Sequence, residues 1–397
     1  MAGHKTIWSV GGGKGGVGKS IATANIGCGL ARRGKEVVLV DADLGGANLH
    51  TYFGIKYPEK SLEDFLKGRA ATLEEVMIPT GVEGMRLISG GGEFLGIANP
   101  AYAQKQKLIA HIKKLEADYI LVDLGAGSSY NVLDFFALSN SGIVVLVPEP
   151  AAIQNAYIFL KSFVYRRLQR TFADNLRVSE MIKDATDLRS PGSVKTFSDL
   201  CERISREDRT SAERALSEIK SFRPKLLLNM ATSREDMKAA EAFKAAAAAF
   251  LGLDTDFIGV MYSRAAVKAA SRKMRPFMLD EDAEESRAEM LSVIDSLVGK
   301  EPSGAAPAHE ESHEVFGFND NVSHLGTVFH VQTEVQAGAS PTIETVIYNG
   351  GRIFFSKKSL WNEIRKTDGD GSLREFAGRQ HRAAMAAIRL NKITVQG

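Results

Sequence analysis

Short apolar runs recur along the first two thirds of the chain, at residues 6–10, 36–41, 85–88, 119–123, 143–147, 225–229 and 257–260. Several are apolar almost throughout. A strand with one wet face shows a polar residue at every second position, so unbroken runs predict strands covered on both faces. Helical stretches lie between them. Residues 20–33 form one, and residues 234–251 another, with Ser233 and Asp236 at capping-box spacing before an alanine-rich body. Strands alternating with helices predict an α/β fold with a doubly wound, mostly parallel sheet.

Two stretches break the rhythm. Residues 171–221 are polar and helix-like, with a Ser190-Pro191-Gly192-Ser193 interruption, and are expected as a helical insertion in the main domain. Residues 301–321 hold acids, Pro, Gly and Ser without Lys or Arg, which predicts an acidic flexible linker. The organisation expected is therefore a domain at 1–300, the linker, and a small β-rich module at 322–397. Within the module, Phe329, Val331 and Val335 alternate with polar residues. Asn349-Gly350-Gly351 lies between two β-rich runs, a strong hairpin signal. A last helix is expected from Ser372 to about Leu390. It places Leu373, Phe376, Ala377, Ala384, Ala387 and Ile388 on one face. That face is mostly alanine, too thin for strong membrane insertion, so docking onto its own module is the expectation.

Composition adds boundaries. The chain has 397 residues, 44% hydrophobic and 25% charged, which suffices for a buried core without disulfides. A formal charge of +2 marks neither a nucleic-acid coat nor an acidic-substrate enzyme. Only two cysteines, Cys28 and Cys201, are present, which excludes a disulfide framework and fits a reducing compartment. No apolar run approaches the length of a transmembrane helix, and the N-terminus carries no apolar signal region. The expected location is cytoplasmic, with the inner membrane face or cell pole left open as a peripheral site. His309, His313, His324, His330 and His381 lack metal-ligand spacing and read as surface or structural residues.

Residues 13–20 read Gly13-Lys14-Gly15-Gly16-Val17-Gly18-Lys19-Ser20, which satisfies G-x-x-x-x-G-K-[ST]. The motif follows an expected strand and opens an expected helix. Glycines let successive backbone N–H groups converge on phosphate oxygens, and the helix points its positive end at the same charge. Lys19 is expected to reach the β- and γ-phosphates, Ser20 to ligate Mg²⁺, and Ile21 to continue the binding turn. Residues 119–123 form an apolar strand ending in Asp123, a Walker B pattern that acts on Mg²⁺ through water. Asp41 and Asp43 end the second strand, where a parallel sheet binds ligands.

Lys14 before Gly15-Gly16 gives KGGVGKS, which resembles the deviant Walker A motif of the MinD/ParA family. By that resemblance Lys14 reaches across a nucleotide-sandwich dimer to the partner's nucleotide. Residues 41–49, DADLGGANL, look like the family's first switch. The match implies Asp41 near the Mg²⁺ shell, Asp43 positioning the attacking water, and Asn48 on phosphate or the dimer partner. Leu124-Gly125-Ala126-Gly127 resembles the second switch, with Leu124 departing from the usual Ser or Thr. His50 and Ile21 are further departures. Residues 147–150 (VPEP), Asn155-Ala156-Tyr157 and Arg275-Pro276-Phe277 look like the MinD relatives that control flagellar number and placement. Asn229, ending the strand 226–230, is implied as an adenine contact. No guanine motif follows it, so ATP is favoured over GTP.

The expectation is thus an ATP-dependent dimerising MgATPase switch that positions or regulates a polar, flagellar or cell-division assembly through a protein partner. Its rivals are a DNA-partitioning ATPase, for which Tyr165-Arg166-Arg167-Leu168-Gln169-Arg170 supplies basic residues, a metal-cluster carrier, and a nucleotide-binding scaffold without turnover.

Overall fold

The structure is a computed structural model that describes residues 5–91, 102–186, 194–299, 317–324, 327–336, 342–349, 352–360 and 373–390. Two compact units divide the chain, Met1–Pro302 and Ser303–Gly397.

In the first unit the order is β1 (Thr6–Gly11), α1 (Lys19–Ala31), β2 (Val37–Asp41), α2 (Leu62–Leu66), β3 (Met77–Pro79), β4 (Met85–Ile88), α3 (Tyr102–Ile112), β5 (Tyr119–Asp123), α4 (Tyr130–Phe136) and β6 (Ile143–Leu146). It continues α5 (Pro150–Thr171), α6 (Leu176–Thr186), α7 (Phe197–Glu207), α8 (Arg209–Lys220), β7 (Lys225–Ala231), α9 (Met237–Leu251), β8 (Asp256–Tyr262), α10 (Ala265–Arg272) and α11 (Glu284–Val298). Among the described residues these strands form one eight-stranded sheet, β3-β4-β2-β5-β1-β6-β7-β8. Only the β3–β4 pair is antiparallel. β3 has three residues, too few to leave a period in the sequence.

The core explains the unbroken apolar runs. Val38, Val40, Ile120, Val122, Val144, Leu146, Leu226 and Leu228 pack into one cluster with the α3–α9 side. The intervening Val37, Leu39, Leu121, Ile143, Val145 and Leu227 pack into a second cluster with α1 and α11. Each strand therefore buries both faces, and a polar residue on either would lose water without replacement. The insertion contributes α6–α8, whose Val178, Ile182, Leu200, Ile204 and Ile219 join the first cluster. It is part of the same body. Its Ser190–Ser193 break lies outside the described residues. At Ser233 the capping box forms, and the chain makes a 3₁₀ turn (Arg234–Asp236) before α9.

The second unit holds β9 (Gly317–His324), β10 (Thr327–Gln336), β11 (Thr342–Asn349), β12 (Arg352–Leu360) and α12 (Leu373–Arg389). Its sheet is antiparallel, in the order β12-β11-β10-β9. Asn349 stands opposite Arg352, as a two-residue hairpin loop requires, with residues 350–351 outside the described set. Two expectations are corrected. The module is a four-stranded sheet with a helix, not a hairpin with a helix. And the stretch expected as linker overlaps β9, which starts at Gly317 and pairs with β10 along its whole length. Composition misled there: Asp320 is exposed and polar, yet its backbone is in the ladder. Residues 301–316 lie outside the described set. Phe376, Ala377 and Ile388 of α12 are buried against Val322, Val331, Val335, Ile343 and Ile347, so the apolar face docks on its own sheet. His381 is 2% exposed and structural. Its Nδ1 lies 2.9 Å from Thr333 Oγ1 and its Nε2 3.1 Å from Asp320.

Candidate nucleotide site

The glycine loop leaves the central strand β1 and feeds α1. Gly13, Gly16 and Gly18 have φ of 74°, 80° and 90°, the left-handed region in which a side chain is strained. A Cβ at Gly18 would stand 2.2 Å from Asn229 Nδ2, and one at Gly13 2.4 Å from the Asn155 carbonyl. Gly16 faces open space, and Gly15 meets nothing closer than Ala126 at 3.7 Å. The loop is therefore fixed from behind and open in front, which suits backbone N–H groups cradling an anion. Lys19 is buried beneath it. Burial lowers its pKa, while Asp123 and Asp43 pull it back up. Its Nζ lies 3.4 Å from the Lys14 carbonyl.

Parallel pairing of β2 with β5 sets Asp41 directly beside Asp123. Both are fully buried. Burial pushes each carboxyl well above the usual range, and Asp41 feels the Asp123 charge in addition. Ser20, Lys19 and Thr23 act against this at Asp123, with Thr23 Oγ1 donating at 3.2 Å. Asp41 accepts the N–H groups of Asp43 at 3.2 Å and Leu49 at 3.0 Å, so it ties both ends of the first switch segment. The Asp43 carboxylate sits against Gly125 of the second: a Cβ there would meet it at 3.0 Å. Gly127 N–H donates to the Gly13 carbonyl at 2.7 Å, joining the second switch to the loop.

A cavity of about 550 Å³ opens here, lined by Gly15, Gly16, Gly18, Lys19, Ser20 and Ile21 with Asp43, Asn48, Tyr52, Leu124 and Ala126. α10 closes it with Lys268 and Arg272. Val17 is buried behind the loop. Lys14 is held by Glu149 at 3.0 Å, with side chains 38% and 63% exposed. Asn229 is placed differently from the implied role alone: its Nδ2 donates to the Val17 carbonyl at 2.8 Å. It also lines a neighbouring apolar cavity of about 160 Å³ with Ile21, Met261, Val267 and Phe277.

A buried carboxylate pair beside a hydroxyl and a lysine is a hard-oxygen set that fits Mg²⁺ carried on phosphate. Among the described residues no group of three or more His, Cys, Asp or Glu could hold a metal by itself. Mg²⁺ commonly keeps waters and substrate oxygens as ligands, so this is compatible.

The family profile described as ParA, NUBPL iron-transfer P-loop NTPase, matches residues 3–163. Over that span the chain is similar to the ParA/MinD family of P-loop NTPases. Over 151 residues the chain is 38% identical to the flagellum site-determining protein YlxH of Helicobacter pylori, covering 38% of this chain and 50% of that protein. It is 31% identical over 157 residues to the antiactivator FleN of Pseudomonas aeruginosa, covering 39% and 55%. The chain thus spans about half the length of these curated relatives. In fold it is similar to the Pyrococcus horikoshii septum site-determining protein MinD complexed with Mg-ADP, at TM-score 0.50 and 20% identity over 74% of this chain and 96% of that one.

Sequence reasoning missed Tyr52, Met230, Lys268 and Arg272 at the cavity. The signal for the last two was their i, i+4 spacing on one helix. The basic stretch at 165–170 is partly engaged inside the protein. Arg166 forms a two-pronged pair with Asp134 at 2.9 and 3.0 Å. Arg167 pairs with Glu218 at 2.7 Å, and Tyr165 is buried. These groups are tied to the protein's own carboxylates.

Proposed function

We propose that the chain is a MgATPase switch that dimerises on ATP and positions or regulates a cellular assembly, of the flagellar or cell-division kind. The carrying observation is Lys14 in a phosphate loop whose Gly16 faces open space, together with Asp41 beside Asp123 at the ends of β2 and β5. In this reading Lys19 and the loop N–H groups hold the phosphates. Ser20 and Asp123, with Asp41 behind them, hold Mg²⁺ and its waters, and Asp43 orients the attacking water. Magnesium would neutralise charge on the phosphates. The Lys14–Glu149 pair is exposed and therefore weak, so Lys14 remains available to a partner's nucleotide. Asn229 and the apolar cavity beside it suit the base. Asn48, exposed at the cavity rim, suits a phosphate or dimer contact. A switch of this type works through loops ordered by the γ-phosphate.

Regulators of flagella and division among the relatives support the spatial output, and a protein partner follows from it. Among the described residues no helix is long and apolar enough to cross a membrane, so membrane contact would be peripheral. DNA partitioning is less favoured because Arg166 and Arg167 are engaged internally. Cluster transfer is less favoured still: Cys28 and Cys201 are buried on different helices, with thiols pushed by burial up to about 12 and about 11.

Light scattering with MgATP and MgADP tests the reading. The wild type is expected to dimerise with ATP alone, Lys14→Ala to stay monomeric while binding ATP, and Lys19→Ala to lose nucleotide binding. A dimer indifferent to Lys14 refutes the sandwich.

A further inference from the structure

We propose that Lys268 and Arg272 of α10 bind the phosphate chain of the nucleotide, forming a cationic wall opposite the glycine loop. This rests on the nucleotide reading and adds to it a second element that senses phosphate. Residues four apart lie on one helix face, so both cations point the same way. Both line the cavity that Lys19 and Ser20 line, and Lys268 also lines the apolar cavity beside Asn229.

Their neighbours show that this is a choice. Arg264, at the start of the helix, is bound to Glu285 and, at 2.7 Å, to Glu289. Lys273, just past its end, pairs with Asp280 at 3.0 Å. Arg264 and Lys273 of the same stretch are thus satisfied by carboxylates. Lys268 and Arg272 form no ion pair among the described residues. A last-turn cation is favoured by the helix dipole, which accounts for Arg272 but not for Lys268, one turn earlier. Among charged side chains lining the cavity, Lys19, Lys268 and Arg272 stand against Asp43 alone. A cavity so biased attracts a polyanion, and Arg adds a planar fork suited to phosphate.

The test is displacement of a fluorescent ATP analogue by MgATP and by magnesium tripolyphosphate, which lacks base and sugar. The proteins are the full-length wild type, Lys268→Ala/Arg272→Ala and the conservative Lys268→Arg/Arg272→Lys. The double alanine variant is expected to weaken both competitors by about tenfold, roughly the loss of one charge-assisted contact, and to flatten the salt dependence. The conservative pair is expected to restore most of the affinity. Unchanged affinity in the alanine variant overturns the inference, as does a loss confined to ATP, which would place these cations at the sugar or base. A wild type that binds neither competitor removes the nucleotide reading itself, a result distinct from both.

Discussion

Asp134→Ala should cost the first unit about 3–5 kcal/mol, the range for stripping one partner from a buried ion pair. The carboxylate is 2% exposed. It receives Lys105 of α3, whose side chain is 5% exposed, and Arg166 of α5, 22% exposed. Arg170 approaches at 3.5 Å from a half-exposed position and adds little. Three helices on one side of the sheet therefore share one anion. Without it, Arg166 can turn toward water and keep its stacking on Tyr130, 4.5 Å from the ring centroid. Lys105, whose side chain is 5% exposed, lies farther from water than Arg166 and carries the larger share of the loss. Replacing both partners, as Lys105→Met with Asp134→Leu, should recover most of it, since no charge is then left dry. Urea unfolding followed by Trp8 fluorescence measures this, because Trp8 is 3% exposed in the core of the first unit. The other tryptophan, Trp361, is changed to Phe in the background. Burial raises the Asp134 carboxyl, but the Arg166 and Lys105 bonds outweigh it and hold it below its usual range. A depressed folded value gives stability that is present above the unfolded value, about 3.9, and is lost as pH falls through the folded one. The gap between wild type and Asp134→Ala should therefore persist at neutral pH and close only below about pH 4. A loss under about 1 kcal/mol, or a double variant as unstable as the single one, refutes the account.

Asp43→Ala should bind MgATP and dimerise while turnover falls about 100-fold, or about 2.7 kcal/mol of barrier, because a water-orienting contact matters mainly in the transition state. Phosphate release measured beside fluorescent-ATP affinity separates this from a metal-binding role, which lost affinity would indicate. Removing residues 303–397 should leave nucleotide binding within about twofold and abolish recruitment of the partner, since the two units have separate cores. Calorimetric titration of the truncated chain with MgATP, alongside localisation of a tagged copy, checks both halves. A truncated chain that no longer binds nucleotide places the second unit inside the ATPase body.

What was legible in the chain was what is written locally. A strand covered on both faces must be apolar at successive positions, and β2, β5, β6 and β7 announced themselves that way. The phosphate loop is local too: its glycines are forced by contacts within the strand-loop-helix turn and by the chain passing behind it at Asn155 and Asn229. β9 failed the same test. Its apolar residues are sparse, and membership in the sheet comes from eight residues paired with β10, which its own composition does not encode. The short antiparallel β3 is a similar case.

Cations fared worst, and the reason is physical. Residues 165–170 and the stretch from Arg264 to Lys273 are both basic and both helical, and nothing within either distinguishes a binding surface from a structural clamp. The distinction lies in which carboxylate arrives from elsewhere. Asp134 comes from 32 residues before Arg166 and reaches it only because α4 and α5 pack on the same side of the sheet. Glu289 reaches Arg264 from 25 residues further along the chain. Lys268 and Arg272 receive neither, and instead line the wall of a cavity whose other wall is the phosphate loop. An ion pair in water is worth little whichever residues form it, so local sequence is under weak constraint to signal one. It becomes decisive only after folding has removed the water, as at Lys105, or has left a pocket with an excess of one sign, as at α10. The function of a basic stretch in this fold is therefore a property of its long-range neighbours. That is why the count of arginines in a stretch does not tell a clamp from a cavity wall.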